Sequence, residues 1–78
     1  MNRNATLNIL RQHAHFLILE IKDEKKLKGE AWEKAVPGTD EGKVWFNVYC
    51  DAKKVLTALR KELKHTNELI KFIKKNIK

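Results

Sequence analysis

A chain of 78 residues with 17 Lys and Arg against 10 Asp and Glu carries a net charge of +7, and at 42% hydrophobic and 35% charged it has the composition of a folding domain. At this size only roughly 60–65% of the unfolded surface can be buried, which leaves few apolar side chains for a substrate cleft. The expectation is one small domain, residues 1–78, that is not an enzyme and takes no small-molecule substrate. The single cysteine, Cys50, allows no intramolecular disulfide, so a cytoplasmic setting is expected. No stretch approaches the ~20 apolar residues of a membrane span, and Asn8, Arg11, Gln12 and His13 interrupt the apolar region a signal peptide would need. No membrane partner is expected.

In chain order, the first predicted element is a helix whose apolar residues Leu7, Leu10, Ala14, Leu17 and Ile21 recur at three- and four-residue spacing, with Asn4 or Thr6 as its cap. Pro37-Gly38-Thr39-Asp40-Glu41-Gly42 reads as a turn, because proline removes a backbone donor and glycine permits positive φ. From Trp45 the chain runs Tyr49, Ala52, Leu56, Leu59, Leu63, Thr66, Ile70, Ile73 and Ile77 in unbroken 4-3 alternation, the pattern of a helix of about 35 residues.

Folding the chain back about residue 40 aligns Leu7 with Ile73, Leu10 with Ile70, Leu17 with Leu63, Ile21 with Leu59 and Ala31 with Tyr49. Glu24 and Lys28 fall out of this register just before Gly29, so the first helix is expected to end or bend within 23–29. A short intervening helix over Gly29–Val36 would follow. The predicted fold is therefore all-α: an antiparallel helical hairpin with a short intervening helix, coiled-coil-like and assembling into a helical bundle. An alternative α+β reading pairs strands at 15–22 and 43–50, since Val44, Trp45, Phe46, Val48 and Tyr49 are strong strand formers.

Apolar residues outside the main stripe suggest an interaction surface. Phe16, Leu19, Val48, Val55, Leu69 and Phe72 would stay wet in a lone hairpin, which points to a homodimer or another protein as partner. Basic residues concentrate in residues 44–78 on three seven-residue rows: Lys53, Arg60 and Lys74; Lys54, Lys61 and Lys75; Lys64, Lys71 and Lys78. The ridge they form would be about 38 Å long, enough for sequence-independent phosphate contacts. Nucleic acid is thus the alternative partner to protein.

No side chains assemble a catalytic or metal site in this reading, and no cofactor is expected. His13 and His15 point about 200° apart on a helix, and His65 has no Cys or carboxylate at ligand spacing. Arg60 and His65 form an Arg-x4-His spacing that resembles the motif of ribonucleases of the HEPN superfamily, with Lys61 where that motif has a polar residue. The resemblance implies a helical ribonuclease active as a dimer, and it covers two residues of the chain.

Overall fold

The computed structural model describes residues 3–76, and 93% of them are helical. Two long helices pack against each other as a hairpin, α1 over Arg3–Lys34 and α2 over Asp40–Asn76. There is no strand among the described residues, and the stretches 15–22 and 43–50 lie inside α1 and α2. Ile77 and Lys78 fall outside the described residues.

The periodic residues form the seam. Leu7, Ala14, Leu17, Ile21 and Ala31 of α1 are buried against Ala52, Leu56 and Thr66 of α2, while Leu10, Leu59, Leu63, Ile70 and Ile73 are half-buried beside them. Trp32 meets Tyr49 and Lys34 meets Trp45, each pair within one residue of the fold-back register about residue 40. Thr66 places a hydroxyl in the seam at 3% exposure, and no buried side-chain polar atom among the described residues lacks a partner.

The expected break within 23–29 does not occur, nor does a separate helix over Gly29–Val36. α1 runs straight through to Lys34. Glu24 and Lys28 occupy seam positions and are both half-buried. Long charged side chains can cover apolar surface with their aliphatic stems, so such residues are tolerated in a seam. Lys28 Nζ ends 5.8 Å from the centre of the Tyr49 ring, at cation–π range. Gly29 faces outward, and a Cβ there would meet nothing within 4 Å, so the glycine lowers helix propensity without a packing reason to bend the helix. Asn4 and Thr6 are likewise inside α1, which is already helical at Arg3, so neither is its cap.

The turn is tighter than the sequence suggests, because α2 begins at Asp40 rather than near Trp45. Thr39 is the reason. Its Oγ1 accepts from the Gly42 backbone N–H at 2.9 Å and donates to the Val36 carbonyl at 2.9 Å, while the Lys43 N–H donates to the Thr39 carbonyl at 3.1 Å. That is an N-cap satisfying an otherwise free amide, and Asp40 and Glu41 follow it at the positive end of the helix dipole. Gly38 takes φ +84°, the left-handed conformation that reverses the chain. Gly42 lies buried in the first turn of α2, where a Cβ would overlap the Val36 carbonyl oxygen.

The product is a rod of 61 × 16 × 14 Å with a radius of gyration of 17.6 Å. A compact domain of this length would have a radius near ~11.5 Å.

Candidate functional site

The seam divides each helix into rows that can be lettered by heptad, with Leu7, Ala14, Ile21 and Lys28 of α1 and Tyr49, Leu56, Leu63 and Ile70 of α2 at a. In an antiparallel hairpin the g rows meet along one edge and the e rows along the other. Two contacts mark these edges. His13 Nε2 donates to Glu62 Oε1 at 3.0 Å, joining the g rows. On the opposite edge Lys25, Lys28, Gly29 and Trp32 of α1 line a shallow concavity of about 440 Å³ with Tyr49 and Arg60 of α2.

The g edge and the adjacent c rows form a face that is apolar and acidic. On α2 the row Val44, Val48, Asp51, Val55, Ala58, Glu62, His65, Leu69 and Phe72 contains no lysine or arginine. Val55, Leu69 and Phe72 are 42%, 38% and 66% exposed, whereas Val48 is half-buried. Ile9 and Phe16 of α1 stand on the same side, and Leu19 lies on its outer rim. The carboxylates of Glu20, Asp23 and Glu30 share this side near the turn half of the hairpin. Five of the residues expected to contact a protein are thus exposed together along one side of the hairpin, and Val48 sits deeper, against the seam.

The e edge and the b rows have the opposite character. Neither row of either helix carries an Asp or Glu, whereas Arg11, Lys22 and Lys25 of α1 and Lys53, Arg60, Lys64, Lys71 and Lys74 of α2 all lie there, exposed. A second concavity continues from Arg60 and is lined by Leu63, Lys64, Asn67, Glu68 and Lys71, so one carboxylate stands among its cations. Lys54, Lys61 and Lys75 project from the neighbouring outer row and are exposed.

Near the turn this cationic face acquires aromatic character that the α2 ridge alone lacks. The Trp32 and Tyr49 rings sit 4.9 Å apart at 46°, and Phe46 lies 6.2 Å from Tyr49. Lys28 and Lys53 bring their Nζ atoms to 5.8 and 5.6 Å from the Tyr49 centroid. Tyr49 is half-buried, but Trp32 remains 61% exposed. Sequence reasoning missed Lys25, Lys28, Trp32 and Tyr49 as a group because it placed a helix break between them. Carrying the seam phase of α1 through Glu24 and Lys28 would have found them.

Other candidate chemistry is thin. Arg60 and His65 stand on different sides of α2, in the e and c rows. Among the described residues no three His, Cys, Asp or Glu side chains are placed to hold a metal ion, and no helix is long and apolar enough to cross a membrane. Compared with known protein families, curated proteins and solved structures, the chain matches none.

Proposed function

We propose that this chain is a non-enzymatic interaction module in which two hairpins pair through their apolar faces into a helical bundle, leaving the cationic faces outward for another macromolecule. The observation that carries the reading is the cation-free row from Val44 to Phe72 on α2, whose Val44, Val55, Leu69 and Phe72 are exposed. Its amount of surface fits a second copy. A compact 9.2 kDa monomer exposes about 4,900 Å², whereas the hairpin exposes 6294 Å². That excess exceeds the roughly 800 Å² each partner buries in a standard interface. A second hairpin supplies the missing layer in the way four-helix bundles do, and the unpaired thiol of Cys50 suits a cytoplasmic setting.

Thermal unfolding at several protein concentrations tests the pairing. Folding coupled to dimerisation makes the midpoint rise with concentration by mass action. The double variant Leu69→Ser with Phe72→Ser should lower the midpoint and abolish that dependence, since burying each such side chain contributes about 1.5–3 kcal/mol. A concentration-independent midpoint in the parent chain would rule the pairing out.

A further inference from the structure

We infer that the cationic e edge binds single-stranded nucleic acid, with Trp32 as a stacking platform for one unpaired base and the flanking Lys25, Lys53, Arg60 and Lys64 as phosphate contacts. This names the partner left open by the interaction-module reading, and it uses the face opposite the proposed dimer contact. Three observations converge on it.

First, the charge is segregated. The e and b rows of both helices hold cations and no carboxylate, so the face is not a lattice of compensating surface pairs. Among the residues lining the two concavities Glu68 is the single carboxylate, so a polyanion along the track meets one like charge, between Lys64 and Lys71. From Lys53 to Lys74 the helix rise provides about 32 Å of track.

Second, an aromatic ring stands exposed among those cations. Trp32 is 61% exposed although Tyr49 lies 4.9 Å away, and the concavity it shares with Lys25, Lys28 and Arg60 has about 440 Å³. That volume falls within the roughly 300–1,000 Å³ of ordinary small-ligand sites. Combining a basic track with an aromatic platform is how proteins hold single strands without reading sequence.

Third, the site favours a single strand over a duplex. In a duplex the base faces are stacked inward and cannot meet an exposed ring, whereas an unpaired base presents a free π-face. The lysines supply phosphate contacts only, and no side chain here is arranged in the paired fashion that reads base edges.

Fluorescence anisotropy with labelled oligo(dT), oligo(U) and a duplex of matched length, each about 15 nucleotides, tests the inference on the full chain. At low salt one or both single strands should bind more tightly than the duplex, and the arm that binds distinguishes DNA from RNA. Trp32→Ala should weaken single-strand binding about tenfold, and Trp32→Phe should recover most of the loss. Lys25→Ala and Arg60→Ala should each reduce the slope of log affinity against log salt by about 0.7. Circular dichroism of each variant verifies that the hairpin is intact. Equal binding to duplex, an unaffected Trp32→Ala variant, or no binding at low salt would overturn the proposal. Sizing the same samples separates the two readings: a dimer that fails to bind rejects this one alone, and a monomer that binds rejects the dimer alone.

Discussion

Thr39, Gly42 and Gly29 show how differently single residues contribute along this chain. Thr39 caps α2 and ties its first turn back to the Val36 carbonyl, so Thr39→Ala should cost about 0.5–2 kcal/mol in thermal or denaturant unfolding. Gly42→Ala should cost on the order of 1–3 kcal/mol, because the added carbon overlaps the Val36 carbonyl oxygen and the turn must shift. Gly29→Ala goes the other way. The site is helical, exposed and open for 4 Å around a new Cβ, so the substitution should stabilise the protein by about 0.5–1 kcal/mol and raise its melting temperature by roughly 2–8 °C. A destabilised Gly29→Ala variant would mean that α1 does bend there. At this scale the sequence was partly legible. Pro37 and Gly38 announce the reversal by composition, but whether Thr39 is a turn residue or a cap depends on where its hydroxyl points, and that is fixed by the Val36 carbonyl across the turn.

For the helices themselves, the seam decides which local signals count. The 4-3 alternation from Trp45 to Ile73 fixed the phase of α2, because a neighbour of the same period must cover it, and the short turn between Lys34 and Asp40 makes that neighbour antiparallel. Strong strand formers at Val44–Tyr49 did not prevail, since their periodicity continued the helical phase and packing outweighs intrinsic preference. The region 23–29 misled for the converse reason: hydropathy treats Glu24 and Lys28 as breaks, whereas their stems are apolar enough to serve in a seam two helices wide. Leu56 is the most completely buried large side chain, at 2% exposure. Leu56→Ala should therefore cost about 2–5 kcal/mol, while Val44→Ala, at a position 61% exposed in the single hairpin, measures only what a partner buries there. Comparable losses at the two sites would show that the apolar face is as deeply covered as the seam.

Considered whole, the molecule is a rod with one apolar-acidic face and one cationic-aromatic face, separated by the seam. The apolar residues Phe16, Val55, Leu69 and Phe72 were visible in the sequence as a surplus over what one seam can hold. Their common side of the hairpin became visible only with the register. The cationic face was seen as an α2 ridge and proved to include α1, because Lys25 and Trp32 reach the same edge only if α1 is continuous. The proposed pairing depends on a hairpin too thin to bury its own apolar residues, so the state of assembly is the central claim of the proposed function. Sedimentation equilibrium of the parent chain at micromolar concentration tests it most directly. The account predicts a mass of at least twice 9.2 kDa, falling toward the monomer value in the Leu69→Ser, Phe72→Ser double variant. A parent chain that stays folded and sediments at the monomer mass would contradict it.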